Sequence, residues 1–479
     1  MLLLASTQLF AFSDRFLITV IATPLKHDLM LSDAEIGLLQ GSAFALLYAG
    51  ALPGFGAIAD RGHRRLVLLA SLVTWTIATI ACGLSGSFAA LFASRLLLGL
   101  GQSGITPAAL SLLAVRIERA QLGRGISLLT AGGTLGRSLA FLVGGATLGW
   151  LSGRAGIAIP GFGTLAPWQA LFVLAALPNL VLLALIWRIA EPSQPVVPVA
   201  RPKWSRVVGW MIRRRGAYLP HAAAATAAIP MGQTLTAWAP TFYVRTHGVT
   251  PAESGLVLGL VVLVTAPIGH VVGGIVLDRV RRTNPRAAPL MLGLGLLFAL
   301  PATATMALAP GLGPSLAGFA ALVVALGFCS PPGLAGIQFL TPVALRGRVS
   351  GVFIAFVTLV ALGAGPALLG LLNDRVFGTD GIGRAFVALY AVVGSLGVVF
   401  ALMAARRGRP AAPAGLIRRR PSPGRAPRAR RPASARRRDG PSSCPSSPAP
   451  RAPRSDRGRS CAPSAPRTRR RSRRCARDR

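Results

Sequence analysis

Charged side chains are scarce in this 479-residue chain, and acidic ones are the scarcest of all. Asp, Glu, Lys and Arg make up 14% of the sequence, with 14 acidic against 52 basic residues, whereas 52% of all residues are apolar. A soluble globular domain usually carries about 25% charged residues. The chain therefore lacks the surface of a water-soluble protein, and we predict an all-α polytopic membrane protein.

Patterns typical of catalytic or metal centres are also missing. The five cysteines lie far apart, and none has a partner at metal-ligand spacing, which argues against a zinc site or a disulfide framework. The sequence contains neither a Gly-x-Ser-x-Gly nucleophile motif nor a Walker-type phosphate loop. We therefore expect no enzyme activity, no cofactor and no metal ion.

Long apolar segments fill residues 1–405 instead. A membrane-spanning helix needs about 20 mostly apolar residues, and twelve segments meet that need. They are 2–23, 34–59, 66–84, 88–115, 122–150, 167–190, 217–244, 252–277, 287–310, 314–343, 349–373 and 383–405. The basic linker 191–216 divides them six and six, which predicts an N-terminal bundle over 1–190 and a C-terminal bundle over 217–405.

The basic residues of the loops predict how these helices are oriented. One alternating set of loops carries 19 Lys and Arg, and the other set carries five. Because basic loops stay in the cytoplasm, we expect a plasma (inner) membrane protein with both termini cytoplasmic. Met1 runs directly into the first apolar segment, so we expect no cleaved signal peptide and a natural start that lies upstream.

The tail 406–479 differs in composition from the rest of the chain. It holds 25 Arg and 3 Asp among Pro, Ser and Ala, without apolar periodicity, so we predict a disordered segment. Three interpretations stay open: an inert appendage, an element that binds anionic lipid or nucleic acid, and a frameshift artefact. Since the tail holds more than half of the net charge of +38, we expect no nucleic-acid partner for the helical part.

A short motif repeats between the two predicted bundles. Gly56-Ala57-Ile58-Ala59-Asp60-Arg61 ends the second apolar segment, and Gly274-Ile275-Val276-Leu277-Asp278-Arg279 ends the eighth. The two copies stand at equivalent places in the two halves. Two parallel six-helix repeats place a binding site near the membrane midplane, between the halves.

Twelve apolar segments in two repeats, with Gly56-x-x-x-Asp60-Arg61-x-x-Arg64-Arg65 after the second, resemble the major facilitator superfamily of transporters. Within it the chain is most similar to the bacterial spinster-type branch, known for lipid-like and other amphipathic cargo. An organic anion–cation symporter branch shares the Asp-Arg pair of the first helix and is the alternative. The stretches that carry the spinster-type similarity are Phe12-Ser13-Asp14-Arg15, Pro24-Leu25-Lys26-His27-Asp28-Leu29, Leu31-Ser32-Asp33, Gly37-Leu38-Leu39, Ala43-Phe44-Ala45-Leu46, Tyr48, Trp238-x-Pro240, Arg245-Thr246-His247-Gly248, Glu253, Ile337-Gln338, Pro342 and Gly365-Pro366.

This resemblance implies a monomeric secondary transporter that moves a small solute by alternating access. It also implies that the repeated motif clasps the two halves on the cytoplasmic side when the cavity opens outward. An acid at a helix end can pair with neighbouring Arg and with the positive N-terminus of another helix. For the arginines, simple retention in the cytoplasm is the alternative. The gate candidates are Gly56, Asp60, Arg61, Arg64, Arg65, Asp278 and Arg279.

Four charged residues are predicted inside the membrane, where a charge costs a few kcal/mol or more and therefore suggests function. Asp14 and Arg15 lie in the first segment, Arg95 in the fourth and Arg137 in the fifth. A carboxylate whose Arg partner comes and goes changes its proton affinity, so Asp14 is the candidate for proton coupling. The alternative is a permanent Asp–Arg pair that only orients helices.

The three embedded arginines are candidate partners of Asp14 or of the cargo. One acid against three guanidinium groups leaves the membrane interior with a net charge of +2, and unpaired buried charge is costly. Arg binds carboxylate and phosphate through two parallel hydrogen bonds. We therefore predict an anionic or zwitterionic, amphipathic cargo. Helix packing, or a phosphate contact at the interface for Arg137, is the alternative role.

One position departs from the spinster-type pattern, in which a Gly-Glu pair follows the helix-4 Arg and its acid is implicated in proton coupling. Here Gly101 is followed by Gln102. Because Gln cannot take up a proton, Asp14 would have to couple alone, and a non-transporting or decayed sensor is the alternative. Further cavity candidates, each with helix packing as its alternative, are Gln102, Gln233, Trp238, Gln338, Phe44 and Tyr48.

Overall fold

The computed structural model describes residues 1–116, 122–153, 157–159, 163–190, 204–342 and 345–407. They form an almost entirely α-helical bundle, as predicted. Its helices are α1 (Leu2–Val20), α2 (Ala22–Asp28), α3 (Asp33–Gln40), α4 (Ser42–Asp60), α5 (Arg64–Gly83), α6 (Phe88–Ser103), α7 (Ile105–Arg116), α8 (Leu122–Ser152), α9 (Pro167–Trp187), α10 (Trp204–Arg213), α11 (Arg215–His247), α12 (Pro251–Thr283), α13 (Ala287–Leu308), α14 (Leu312–Leu340), α15 (Arg346–Gly363), α16 (Gly365–Leu372) and α17 (Ile382–Arg407).

Each of the twelve predicted segments is helical, but they do not all have the apolar character of a membrane span. Among the described residues, ten helices are long and apolar enough to cross a bilayer, and the pair α1 and α2, bent by 54°, would be the eleventh. The remaining segment, α11, runs for 33 residues but contains Pro220, Pro230 and Pro240 together with two histidines. The predicted count of twelve membrane spans is therefore not confirmed, although the twelfth segment is a helix long enough to cross a bilayer.

Several predicted segments are broken where a continuous helix was expected. The second is split at Gly41 and the eleventh at Ala364, just before Gly365-Pro366. Pro366 lies in the first turn of α16, where its missing N–H costs nothing. A Cβ at Gly41 would lie 2.0 Å from the carbonyl oxygen of Leu362. The break in α3–α4 therefore coincides with a close backbone approach to α15.

Two elements were not predicted. A short antiparallel hairpin pairs β1 (Ile157–Ile159) with β2 (Gly163–Leu165). The linker, expected to be a loop, contains α10, whose Trp210 donates to the hydroxyl of Tyr218 at 3.0 Å. The predicted tail begins two residues too early, because α17 continues to Arg407. Residues 191–203 and 408–479 lie outside the described part of the chain.

The two halves meet along glycine-lined seams. A Cβ at Gly145 in α8 would lie 2.8 Å from the carbonyl oxygen of Ala252 in α12, and a Cβ at Gly255 would lie 2.7 Å from that of Phe141. A second seam joins α3 to α16.

The two ends of the bundle are named after residues that lie there. The end that contains the start of α3 is the Asp33 end. The opposite end, where α5 begins and α17 finishes, is termed the Arg64 end.

Candidate functional site

Asp14 is buried in α1 and is held by three neutral donors. Its Oδ2 accepts hydrogen bonds from Trp75 Nε1 at 2.7 Å, Asn179 Nδ2 at 3.0 Å and Thr79 Oγ1 at 3.2 Å. These donors come from α5 and α9, so the carboxylate ties three helices of the N-terminal half together. The structure does not bring Arg95 or any other described Arg into hydrogen-bond contact with it.

The second carboxylate oxygen of Asp14 is differently placed. Oδ1 accepts no hydrogen bond from a described residue. It is not fully buried either, so it keeps some accessible surface. Asp14 and Ser13 line a cavity of about 140 Å³ between α1, α8 and α9, whose other walls are mainly apolar. One oxygen is thus fixed by hydrogen bonds while the other borders open space, an arrangement that leaves room for a proton.

Arg15 is enclosed by aromatic rings and one amide. Its Nε and Nη2 both donate to Gln102 Oε1 at 3.3 Å. The guanidinium carbon lies 4.3 Å from the ring centre of Phe44, 4.5 Å from that of Phe12 and 4.7 Å from that of Tyr48. A desolvated cation over aromatic faces gains roughly 2 kcal/mol. This cage holds the Arg15 charge without an acid among the described residues.

Gln102 and Arg95 connect this cage to the backbone. Gln102 Nε2 donates to the carbonyl oxygen of Ala11 at 2.9 Å. Arg95, which is fully buried, donates from Nε to the carbonyl oxygen of Leu39 and from Nη2 to that of Arg15, both at 3.2 Å. Leu39 lies in the last turn of α3, where helix carbonyls have no internal partner. Arg95 therefore stabilises the break between α3 and α4.

Arg137 differs from the other embedded charges because it borders a cavity between the two halves. This central cavity has a volume of about 130 Å³ and is bordered by α8, α11, α12 and α14. Its polar lining residues are Arg137, Gln233, Thr236, His270 and Ser330. The guanidinium stacks on Phe16 with 4.9 Å to the ring centre. Among the four predicted charges, Arg137 alone borders this space.

The other cavity candidates have other surroundings. Trp238 is fully buried and donates from Nε1 to the carbonyl oxygen of Pro366 at 2.9 Å, which fixes α11 to α16. Gln338 lies in the last turn of α14 and does not line the central cavity. Phe44 and Tyr48 belong to the Arg15 cage. Gln233 does border the central cavity, as predicted for a lining residue.

The gate candidates lie at the Arg64 end. Arg64 donates from Nε to Ser111 Oγ at 2.9 Å, and Arg65 donates to the carbonyl oxygen of Trp187 and lies over its ring. These contacts stay within the N-terminal half. Arg61, Asp278 and Arg279 are exposed. Gly56 has room for a Cβ, with Pro107 at 3.6 Å, and the side chain of Asp60 lies outside the described part of the structure.

A clasp at the Asp33 end joins the halves, and the sequence did not predict it. Asp33 is fully buried and receives both terminal nitrogens of Arg245, from α11, at 2.7 Å each. Lys26 bonds Oδ1 at 2.5 Å, and Asn373, which follows α16, donates to Oδ2. Bidentate Arg–carboxylate pairs are among the strongest side-chain contacts. The only available signal was that Lys26, Asp33 and Arg245 lie in the stretches of family resemblance.

A second acid strengthens this clasp from the C-terminal half. Asp374, in a π-helical turn at Asn373–Phe377, accepts hydrogen bonds from the backbone N–H groups of Asp33 at 3.1 Å and Ala34 at 2.7 Å. It thereby caps the N-terminus of α3, a position that favours negative charge. A Cβ at Gly370 would lie 2.2 Å from the carbonyl oxygen of Asp33. Charge pairing and tight packing therefore close this end together.

Two helical halves border a common cavity, and charged side chains join them at one end. A family model described as Major Facilitator Superfamily matches residues 4–366. The chain belongs to this superfamily. It is thus a multi-pass membrane protein with the fold of the superfamily's transporters, as the sequence predicted.

Similar proteins include an efflux pump and a spinster homolog, which agrees with the expected similarity to spinster-type members. An MFS-type efflux pump of Mycolicibacterium smegmatis is 29% identical over 405 residues, which cover 83% of this chain and 90% of that protein. Protein spinster homolog 1 of Xenopus tropicalis is 24% identical over 314 residues, or 61% of this chain and 57% of that protein. The chain therefore matches little more than half the length of this spinster relative.

Solved structures show the same fold. A bacterial homolog of the human lysosomal transporter Spinster, in an inward-facing and unoccupied conformation, superposes with a TM-score of 0.71 at 23% identity, over 85% of this chain and 95% of that one. A D-xylose–proton symporter superposes with a TM-score of 0.64 at 17% identity, over 84% and 96%. At these identities the likeness concerns the fold alone.

Proposed function

We propose that this protein is a secondary transporter that moves a small amphipathic solute, with an anionic or zwitterionic head, by alternating access. The observation that carries the proposal is the Asp33 clasp, because it closes one end between two halves that enclose a cavity. An ion pair that joins two packed halves is the kind of two-state contact on which such transitions depend. Arg137 at the cavity supplies a positive charge for the head of the cargo.

We place the Arg64 end in the cytoplasm, since the loops at that end carry 19 of the loop Lys and Arg. The structure then represents the state closed to the outside. The Gly56–Arg65 motif and its repeat at Asp278 and Arg279 would clasp the Arg64 end in the opposite state. The exposure of Arg61, Asp278 and Arg279 suits a clasp that is open here.

Asp14 is our candidate for proton coupling. It is a buried carboxylate with one oxygen fixed by neutral donors and the other beside a cavity. At the position where the resemblance places a second acid, Gln102 holds Arg15 without titrating. Coupling in this chain therefore depends on Asp14 alone. An organic-anion symporter and a non-transporting sensor are the alternatives that a flux experiment separates.

The clasp offers a direct test of alternating access. The backbone N–H of Ala34 donates to Asp374 across the halves, so we expect Ala34→Cys with Asp374→Cys to form a disulfide. The full chain would carry Cys444→Ser, Cys461→Ser and Cys475→Ser, and the two remaining cysteines are buried. We expect oxidation to stop the flux of NBD-labelled lysophosphatidylglycerol into liposomes and reductant to restore it, whereas each single variant stays active. Unchanged flux through fully cross-linked protein would refute the mechanism.

A further inference from the structure

The central cavity is bordered by a histidine that the proposed transport mechanism does not use. His270, in α12, borders the cavity together with Arg137. Its Nδ1 lies 2.7 Å from the carbonyl oxygen of Ala266. A carbonyl oxygen can only accept, so Nδ1 carries the proton, and in the neutral ring Nε2 is left as an acceptor. No described residue donates to Nε2, so its lone pair is free to accept a hydrogen bond from a ligand in the cavity that His270 lines.

Arg137 contributes the opposite kind of group. It donates to no described residue, and its Nε is buried without a partner. The lining residues of the cavity include no Asp or Glu within the described part of the chain. A guanidinium with neither an acid nor a hydrogen-bond acceptor beside it calls for an anion from outside the protein. One negative charge on the ligand balances it.

The amide of Gln233 supports the same polarity. Its Oε1 is buried and has no hydrogen-bond partner. Its Nε2 is not buried in this way. Because the described residues give Nε2 no hydrogen-bond partner, it is free to donate to a ligand in the cavity that Gln233 lines. The rest of the lining is largely apolar and includes Phe141, Val262 and Phe319. Donors, acceptors and apolar walls thus share a space that would hold a group about the size of benzene.

We propose that the central cavity recognises a monoanionic head that carries a neighbouring hydroxyl or amide N–H, with an alkyl or aryl tail. Arg137 and Gln233 bind the anionic oxygens, and His270 Nε2 accepts the hydrogen bond from the head. A zwitterion suits the site less well, because no acid lines it to balance the ammonium group. This inference rests on the proposed transport function and narrows its cargo class.

Four eight-carbon probes test the two contacts separately by calorimetry on the full-length protein in lipid nanodiscs. They are 2-hydroxyoctanoate, its methyl ether 2-methoxyoctanoate, 2-aminooctanoate and the neutral 1,2-octanediol. We expect 2-hydroxyoctanoate to bind roughly three- to tenfold more tightly than the methyl ether, since one neutral hydrogen bond is lost. The diol and the zwitterion are expected to bind more weakly than the hydroxy acid.

Variants assign each preference to a residue. His270→Phe should abolish the preference for the hydroxy acid over its ether and leave binding of the ether unchanged. Arg137→Gln should weaken both acids by about 10- to 100-fold, as expected for a lost charged hydrogen bond, and leave the diol unchanged. Arg137→Lys, which keeps the charge, should retain a preference for the acids over the diol. Arg384→Gln, which removes an exposed charge, is the matched control.

The outcomes separate this inference from the transport proposal. Unchanged acid binding by Arg137→Gln, a persisting hydroxyl preference in His270→Phe, or no binding of 2-hydroxyoctanoate to the wild type would each overturn it. The cross-link between positions 34 and 374 uses neither residue. If the cross-link stops the flux and any of those three binding results is also found, the transport proposal holds. The head group of the cargo would then bind elsewhere.

Discussion

Gln102 contacts Arg15 through an uncharged amide oxygen, which accepts two hydrogen bonds from the guanidinium. Its Oε1 lies 3.3 Å from both Nε and Nη2 of Arg15. The spinster-type pattern that the sequence resembles has a Glu at this position. The Arg15 cage of Phe12, Phe44 and Tyr48 completes the shell. The chain therefore has the embedded cation without a titratable group at position 102.

Gln102→Glu should restore that group. The new carboxylate would lie against Arg15 inside the same cage, where a pair with good geometry offsets its own desolvation. We expect transport to gain dependence on the pH gradient, seen as a larger increase of lysophosphatidylglycerol flux when a gradient is imposed across liposomes. Gln338→Glu, outside the cage and the central cavity, is the control. An identical gradient response in Gln102→Glu and the wild type would contradict the prediction.

Asp14→Asn and Asp14→Leu should differ in a diagnostic way. All three hydrogen bonds go to one oxygen of Asp14, so the amide oxygen of Asn can still accept them. The melting temperature of Asp14→Asn should therefore stay within a few degrees of the wild type. Leu leaves the buried donors of Trp75 and Asn179 unsatisfied at about 1–3 kcal/mol each and should lower the melting temperature markedly, whereas Thr79 can still donate to the carbonyl oxygen of Trp75. Both variants should lose stimulation by a pH gradient. Gradient-stimulated flux in Asp14→Asn would rule out Asp14 as the proton site.

Arg245→Gln should weaken the closed Asp33 end. Removing one partner of a buried pair costs about 3–5 kcal/mol, although Lys26 and Asn373 still contact Asp33. We expect slower disulfide formation between cysteines at positions 34 and 374, measured without cargo. Arg375→Gln, which removes an exposed charge from the same end, should leave the rate unchanged. Equal rates in the two variants would show that the clasp does not hold this end.

Gly370→Ala tests the packing part of the clasp. Its Cβ would meet the carbonyl oxygen of Asp33 at 2.2 Å, so α16 must move away from α3. Gly351→Ala is the matched control, because that position in α15 has no atom within 4 Å of its Cβ. We expect only the first variant to slow the same cross-link. A normal rate in Gly370→Ala would mean that the seam adapts without opening.

Helix positions were predictable because apolar length is a strong signal, and all twelve segments are helical. The breaks at Gly41 and Ala364 were not, because they depend on how closely α3–α4 approaches α15 and α16, which is set by tertiary packing. The short helix α10 was missed because Trp204–Arg213 lies in a basic, Pro-rich linker that resembles a loop.

The sequence could point to charged residues inside the bundle, but it could not give their arrangement. The sequence singled out Asp14, Arg15, Arg95 and Arg137, and all four lie inside the bundle. Sequence spacing could not tell that Arg95 binds backbone carbonyls or that Arg137 alone borders the central cavity. The clasp was missed because its members come from positions 26, 33, 245, 373 and 374, and only the fold brings such distant residues together.

The most direct test of the account follows both ends of the molecule at once. Spin labels at His27→Cys and Asp380→Cys would span the Asp33 end, and labels at His63→Cys and Thr283→Cys would span the Arg64 end, all at exposed positions. Alternating access predicts that Arg245→Gln lengthens the first distance and shortens the second, measured by double electron–electron resonance in nanodiscs. Two distances that stay fixed, or that change in the same direction, would contradict the account.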